Sequence, residues 1–163
     1  MCSSDLGWSV SDQVSHLAYF DDMSVLAALT ARIMETWAHG LDIADAVGME
    51  WPVTAALRQV AHISVRALPN SFRAHGRPEP DAPVRVELTG PGGDEWVWGP
   101  EDAPDRVTGP ALDLCLVATQ RRHPADTALV AVGPVAVEWL TIAQAYAGPP
   151  GSGREPSDGG APG

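Results

Sequence analysis

A glutamate and a histidine four positions apart, Glu35 and His39, are the side chains whose types and spacing could carry chemistry. On a helix this spacing places both side chains one turn apart on the same face, and Asp42 follows on that face. A carboxylate and an imidazole so placed can bind one divalent cation, for which His16, on a separate predicted helix, is the candidate third ligand. Three protein ligands would leave a coordination position open for water or substrate, which is typical of a catalytic metal site.

The same residues also fit a solvated helix face. An apolar stripe runs along the opposite side of this helix, and its members are Leu26, Leu29, Ile33, Trp37, Leu41 and Ala44. A helix normally buries such a stripe, which would leave Glu35 and His39 in water. Small residues such as Ala31 and Ala38 on the Glu35 face would instead allow a second helix to approach closely. The spacing by itself therefore leaves a metal site and a solvated face as open alternatives.

Local sequence patterns predict helices first and a mixed region afterwards. Apolar periodicity and N-cap residues predict helices that begin near Asp12 and span about 24–47 and 52–67. The proline-rich stretch 69–83 interrupts the helical pattern. The later patterns predict a β-hairpin from strands 84–88 and 95–99, followed by a helix over 110–120. They also predict a short strand over 127–133 and a last helix over 135–148.

These patterns predict the α+β fold class, with a boundary near the proline-rich stretch. A helical domain is expected over residues 8–77, and a small α+β domain that contains the hairpin is expected over 78–148. Residues 149–163 are rich in glycine and proline and have almost nothing to bury, which predicts a disordered tail.

The composition of the 163-residue chain restricts its compartment and partners. The net charge is −11, and all ten basic residues are arginines. Such an acidic surface repels a phosphate backbone, so no nucleic-acid partner is expected. The chain has no membrane-length apolar stretch and no leader pattern, and its two cysteines, Cys2 and Cys115, exclude a disulfide framework. These features predict a cytoplasmic protein with no membrane partner.

Two segments near the start of the chain resemble a known family. Residues 7–21 (GWSVSDQVSHLAYFD) and 32–48 (RIMETWAHGLDIADAVG) resemble the metal-binding N-terminal domain of the mycothiol-dependent maleylpyruvate isomerase family. That domain is one of the DinB-like four-helix bundles. The resemblance implies that His16, Glu35 and His39 hold a divalent metal, expected to be zinc, in a reduced DinB-like bundle.

The resemblance extends into the second predicted domain. Residues 86–151 are similar to the C-terminal domain of an actinobacterial subgroup, which carries the label "wyosine base formation". Arg121 and Arg122, at the end of a predicted helix, resemble an isomerase arginine placed to meet a substrate carboxylate, a role that suits the bidentate guanidinium group. An alternative role for both arginines is to complement the negative end of that helix.

The function that the resemblance implies is a divalent-metal-dependent isomerase or transferase that uses mycothiol or a similar low-molecular-weight thiol. Its partners would be the thiol and a small-molecule substrate. The metal would lower the pKa of the bound thiol, and the thiolate would add to a substrate double bond, permit rotation and leave. Two other functions stay open: a non-catalytic metal-binding module, and a tRNA-modification-associated protein, which the acidic charge disfavours.

The chain departs from the family pattern and resembles a truncated or internally deleted member. The family's first helix has no counterpart before residue 7, and only 18 residues separate His16 from Glu35. The loss of these segments would expose the apolar stripe, which a partner subunit in a homodimer or the C-terminal domain would then cover. Metal binding is therefore expected more readily than catalysis, which needs a more complete pocket.

Overall fold

The computed structural model describes residues 22–157, and it describes their side chains from residue 28 onward. Within this part of the chain lie five α-helices and four β-strands. In chain order they are α1 Asp22–Val47, α2 Leu57–Arg66, α3 Leu68–Ala74, β1 Val84–Thr89, β2 Glu95–Trp98, β3 Asp105–Pro110, α4 Ala111–Ala118, β4 Val130–Val132 and α5 Pro134–Ile142. The helix predicted to begin near Asp12 lies outside the described residues.

The four strands form one mixed sheet in the order β2-β1-β3-β4. β1 pairs antiparallel with β2 and parallel with β3, and β3 pairs antiparallel with β4. The connection from β2 to β3 passes the start of β1 at Gly99, where a φ of +83° and the nearby Val84 carbonyl leave no room for a side chain. The buried hydrophobic side chains of the sheet are Val86, Leu88, Trp96 and Val107. Helices α4 and α5 pack against β3, so the protein has a helical layer and a sheet layer.

The strand positions that alternate with these buried residues carry ion pairs. The Glu87 carboxylate accepts hydrogen bonds from Arg85 Nε and Arg106 Nη1, each at 2.9 Å. These hydrogen bonds, with that of Arg85 the larger influence, hold the pKa of Glu87 below its usual value. The sheet therefore has one face that belongs to the core and one face that is ionic.

Helix α1 packs against α2 through a row of residues that recur every four positions. Thr30, Met34 and Ala38 form this row and are buried. Two members of the predicted apolar stripe, Leu29 and Ile33, are instead 57% and 39% exposed. Two other members of the stripe do face the interior, since Trp37 packs against the core and Ala44 is buried. The buried side of α1 therefore includes only part of the predicted stripe.

One hydrophobic cluster contains buried side chains from both predicted domains. Met34, Leu57 and Phe72 contribute from the helical part, and Val86 and Trp139 contribute from the sheet and α5. Helix α2 packs on both α1 and α4, so the first three helices and the sheet layer share one core.

Helix α5 begins above a buried carboxylate. Asp105, which is 2% exposed, accepts a hydrogen bond at Oδ1 from the backbone N–H of Ala136 at 2.9 Å. Gly133, the residue before α5, has a φ of +94° and lies directly against the Asp105 side chain. A negative group at a helix N-terminus is stabilised by unpaired N–H groups, which explains why this acid is buried.

The α+β fold class is confirmed, and the predicted hairpin is observed as β1 and β2. Strand β3 was not predicted from the sequence, and α3 occupies the start of the stretch 69–83, with Pro69 in its first turn, where proline is tolerated. The described residues do not show the reduced DinB-like bundle, because α1–α3 pack into the layer that covers the sheet. Among the described residues, no helix has the length and apolar character needed to cross a membrane.

Candidate functional site

The C-terminal end of α4 organises the candidate site. The Gln120 N–H bonds to the Val117 carbonyl at 2.9 Å, and the Arg121 N–H bonds to the Leu116 carbonyl at 2.8 Å. These are the two hydrogen bonds of a Schellman motif, which requires a left-handed residue, usually glycine. Here Gln120 takes that position with a φ of +59°, and no other non-glycine residue of the described chain has a positive φ. A strained non-glycine residue is more common at functional positions than elsewhere.

Two clefts lie on either side of Gln120. The first, called the α1 cleft, lies between α1 and residues 119–121 and 146–147, and has a volume of about 500 Å³. The second, called the α5 cleft, lies between the end of α5, Gln120, residues 122–124 and residues 151–156, and has a volume of about 540 Å³. Gln120 and Arg154 line both clefts. Both volumes are in the range of small-molecule sites.

Arg121 connects the end of α4 to α1. Its Nε donates to the Ala38 carbonyl at 3.0 Å and to Asp42 Oδ1 at 2.9 Å, and its Nη2 donates to Asp42 Oδ2. Its Nη1 donates to the Thr119 carbonyl at 2.8 Å. The guanidinium group thus binds a carboxylate of α1 with two donors while it also satisfies a carbonyl at the end of α4.

An imidazole and a carboxylate lie together in the α1 cleft. His39 Nδ1 is 3.5 Å from Asp42 Oδ2, and the His39 side chain is 75% exposed. The hydrogen bond from Arg121, followed by the charge of that arginine and the nearby His39, holds the pKa of Asp42 below its usual value. An exposed imidazole beside an ionised carboxylate can accept a proton and return it, which is the behaviour of a general acid–base group.

The described part of the structure does not bring the predicted metal ligands together. Glu35 is paired with Arg32 at 2.9 Å, and His39 lies beside Asp42, which Arg121 already holds. From residue 22 to residue 157, no group of three or more His, Cys, Asp or Glu side chains is placed to hold a metal ion. The description of the protein as metal-binding is therefore wrong for this part of the chain, because arginines take up the carboxylates. The full ligand set includes His16, which lies outside the described residues, so that assignment and the thiol cofactor stay predictions.

The α5 cleft collects arginines and histidines from separate parts of the chain. Arg77 follows α3 and pairs with Glu138 of α5 at 2.6 Å. Arg122 follows α4 and pairs with Asp113 at 3.6 Å. Arg121 and Arg122, which the sequence presents as neighbours, therefore lie in different clefts, and their substrate-binding role stays a prediction.

The structure describes residues 149–157 of the predicted tail, and residues 151–156 line the α5 cleft. Gly151 is so close to the Gln120 side chain that a Cβ there would be 2.2 Å from Gln120 Oε1. Ser157 donates to Asp126 Oδ2 from its backbone N at 2.8 Å and from its hydroxyl at 3.0 Å. These hydrogen bonds lower the pKa of Asp126. Residues 158–163 lie outside the described chain.

Two other chemically capable side chains have structural roles. Trp98 Nε1 donates to His62 Nδ1 at 3.1 Å, and partial burial lowers the pKa of His62, so the imidazole is held neutral as an acceptor. Cys115 is fully buried, and burial raises the pKa of its thiol well above the usual value. A protonated, enclosed thiol is not a nucleophile.

Sequence reasoning missed Gln120, Arg77, His123 and Arg154 as functional candidates. Gln120 and His123 are close in the sequence, but Arg77 and Arg154 come from two other segments, so no local spacing connects the four residues. The one signal available was the position of Gln120 directly after a predicted helix, where a glycine is usual.

Replacement of Gln120 by glycine is expected to raise the free energy of unfolding by about 0.5–1 kcal/mol. Glycine adopts the left-handed conformation without the steric strain of a Cβ, which stabilises the folded state. This gain is expected to exceed the loss of stability that comes from the greater conformational entropy of glycine in the unfolded chain. Urea denaturation measures the change. Gln59→Gly, an exposed substitution inside α2, is the matched control and is expected to lose about 1 kcal/mol. A Gln120→Gly variant that is less stable than the parent would show that the side chain contributes more than its strained backbone costs.

Comparison with known proteins associates the sheet with one family. The model of the family described as "Wyosine base formation" matches residues 80–132, a segment that contains all four strands and α4. Two curated proteins of Mycobacterium tuberculosis, from strains CDC 1551 / Oshkosh and ATCC 25618 / H37Rv, are each 53% identical to this chain over 139 residues. Both are described as uncharacterized proteins. The match covers 85% of this chain and 54% of each relative, so the chain spans about half the length of the curated relatives it matches. No solved structure matches significantly.

These comparisons correct three predictions. The identification as a maleylpyruvate isomerase family member is wrong, because the matching family is that of wyosine base formation and the relatives are uncharacterized mycobacterial proteins. The metal- and thiol-dependent isomerase or transferase function that followed from it is wrong for the same reason. The exclusion of a nucleic-acid partner is also wrong, since the family description points to tRNA modification. A net charge is a sum over the whole chain and does not describe the potential at one site. The chain is thus similar, over its sheet and α4, to the wyosine base formation family.

Proposed function

We propose that this protein takes part in tRNA modification, in the formation of a wyosine-type base. The match of residues 80–132 to the wyosine base formation family carries this proposal. The matched segment includes α4 and the two arginines that follow it, of which Arg121 lines the α1 cleft and Arg122 lines the α5 cleft. Because function belongs to a site rather than to a fold, the surface around the end of α4 is where tRNA is expected to bind.

The α1 cleft supports a role in handling a nucleobase. Its volume of about 500 Å³ is sufficient for a base that has been extruded from its stack. Tyr146 lines the cleft and offers a ring on which a base can stack. His39, beside the Asp42 carboxylate, can transfer a proton to or from a base.

The charge distribution supports a weak and local contact with RNA. A net charge of −11 opposes contact over most of the surface. Arg154, in contrast, lines both clefts and makes no ion pair with any described residue. Its guanidinium group is therefore available for a phosphate of the tRNA backbone.

The full chain is expected to retain a tRNA transcript in filter binding at low salt, with a dissociation constant of about 10⁻⁶ to 10⁻⁴ M. Arg154→Gln is expected to make the plot of log affinity against log salt concentration shallower by about 0.9, because one phosphate contact is lost. Arg66→Gln removes an exposed arginine of α2 outside both clefts and is the matched control. An absence of retention, or an equal change of slope in both variants, would contradict the proposal.

Nucleoside analysis of tRNA by mass spectrometry adds the readout of modification to the same test. Cells that lack the gene are expected to lose a wyosine-type nucleoside, and expression of the parent chain is expected to restore it. His39→Ala is expected not to restore the nucleoside, whereas His62→Ala, an exposed histidine outside both clefts, is expected to restore it. An unchanged nucleoside profile in the deletion strain would overturn the proposed function.

A further inference from the structure

We propose that the α5 cleft binds a small organic anion, a carboxylate or a phosphate ester that carries an apolar body. The α5 cleft adjoins the α1 cleft that the proposed function uses for a nucleobase and shares Gln120 and Arg154 with it. The proposal rests on the lining of the α5 cleft and not on that function.

The first argument is the concentration of positive groups in an acidic protein. Of ten arginines in a chain of net charge −11, three line this one cleft: Arg77, Arg122 and Arg154. Glu155 is the carboxylate among the lining residues. Glu138 pairs with Arg77, and Asp113 pairs with Arg122, and neither acid lines the cleft. Each arginine has further N–H donors that remain open to a ligand. The remaining donors of Arg77 and Arg122, together with those of Arg154, favour an anion through hydrogen bonds.

The second argument is which ring nitrogen carries the proton in the two histidines that line the cleft. His123 Nδ1 accepts a hydrogen bond from the Ala125 backbone N–H at 3.1 Å, so the proton of the neutral ring is on Nε2. His123 is therefore a hydrogen-bond donor through Nε2 without a need for protonation. His75 Nδ1 is 2.8 Å from the Ser71 carbonyl, to which it donates, and this bond orients the ring at the end of α3. His123 and the three arginines together provide donors suited to carboxylate or phosphate oxygens.

The third argument is the apolar part of the cleft. Val117, Leu140 and Ile142 are buried hydrophobic residues of α4 and α5, and all three contribute to the lining. A site for an inorganic anion alone would not need such a surface, whereas a cavity of about 540 Å³ with an apolar wall suits an organic ligand. The combination of an apolar wall and cationic groups defines the chemical class of the ligand.

The fourth argument is the segment that encloses the cleft. Residues 151–156 form one side of it, and the hydrogen bonds of Ser157 with Asp126 fix the end of this segment. Arg154 belongs to the segment and makes no ion pair with any described residue, so its charge remains uncompensated. A ligand anion in the cleft would accept hydrogen bonds from Arg154 of this segment and from the free donors of Arg122.

Calorimetric titration of the full chain tests the site with four probes: phenyl phosphate, benzoate, inorganic phosphate and the neutral amide benzamide. One of the two organic anions is expected to bind at one site per chain, and the stronger one distinguishes a phosphate ester from a carboxylate. Inorganic phosphate and benzamide are each expected to bind at least about tenfold more weakly, since each lacks either the apolar body or the charge.

The variant Arg122→Gln is expected to weaken the binding of the preferred probe at least about tenfold, whereas Arg66→Gln should leave it unchanged. Arg77→Gln provides a second test, and circular dichroism establishes that each variant is folded. The proposal is overturned if neither organic anion binds, or if both cleft variants bind the probe as the parent does. The titration measures binding of the small anion, and filter binding measures retention of tRNA. Either result can be negative while the other is positive, so the two proposals can fail separately.

Discussion

The Arg121→Met variant is expected to lose about 2–3 kcal/mol of its free energy of unfolding at pH 7. Methionine retains the apolar stem but removes the donors that hold Asp42, the Ala38 carbonyl and the Thr119 carbonyl. The Arg121 side chain is only 16% exposed, so water replaces these hydrogen bonds incompletely. Since Arg121 connects α4 to α1, the α1 helix is expected to be the part that loosens. Urea denaturation followed by circular dichroism measures the change.

The pH dependence of this difference tests the role of Asp42. Because its pKa is lowered in the folded protein, Asp42 contributes stability that is present above the ordinary value of 3.8 and is lost as pH falls through the lower folded value. The stability difference between parent and Arg121→Met should therefore shrink below about pH 4. Asp42→Asn combined with Arg121→Met closes a double-mutant cycle, in which a coupling energy near zero would refute the pairing.

Replacement of Gly133 by alanine is expected to cost at least about 3 kcal/mol of stability. Two effects add: the φ of +94° is unfavourable for any residue with a Cβ, and the new Cβ would lie 2.4 Å from Asp105 Oδ1. The carboxylate would have to move away from the Ala136 N–H, which leaves a buried donor without its acceptor. Thermal unfolding should show a clear decrease in the melting temperature.

Gly76→Ala is the matched control for this prediction. Gly76 also has a positive φ, +66°, but a Cβ there would meet nothing within 4 Å. This variant should therefore cost only the conformational term, about 1–2 kcal/mol. The difference between the two variants isolates the contact with Asp105, and equal losses would show that the contact carries no energy.

The elements that depend on nearby residues could be predicted from the sequence. Helix α1 and the β1–β2 hairpin follow from apolar periodicity and from the glycine-rich turn between the strands. Strand β3 could not be predicted, because its stability comes from parallel pairing with β1 and antiparallel pairing with β4, neither of which is local. The exposure of Leu29 and Ile33 was not predicted for a similar reason, since contacts with distant residues decide which part of the α1 stripe is buried.

In the candidate site, too, local features could be predicted from the sequence and long-range contacts could not. The sequence places His39 and Asp42 on one face of a helix, and their atoms are 3.5 Å apart in the structure. It could not show that Arg121, 79 positions later, would bind the Asp42 carboxylate that lies beside His39. A helical spacing establishes which side chains are neighbours, but it does not establish which distant residue will compete for them.

The sequence by itself determined the fold class, the helical spacing of His39 and Asp42 and the net charge of −11. Only the tertiary structure decided where the few positive charges lie. Arg77, Arg122 and Arg154 belong to three separate segments, and the packing of α3, α4 and the C-terminal residues brings them to one cleft. The physical reason is that recognition depends on the local potential, which falls off over about 10 Å, whereas the net charge is a sum without positions.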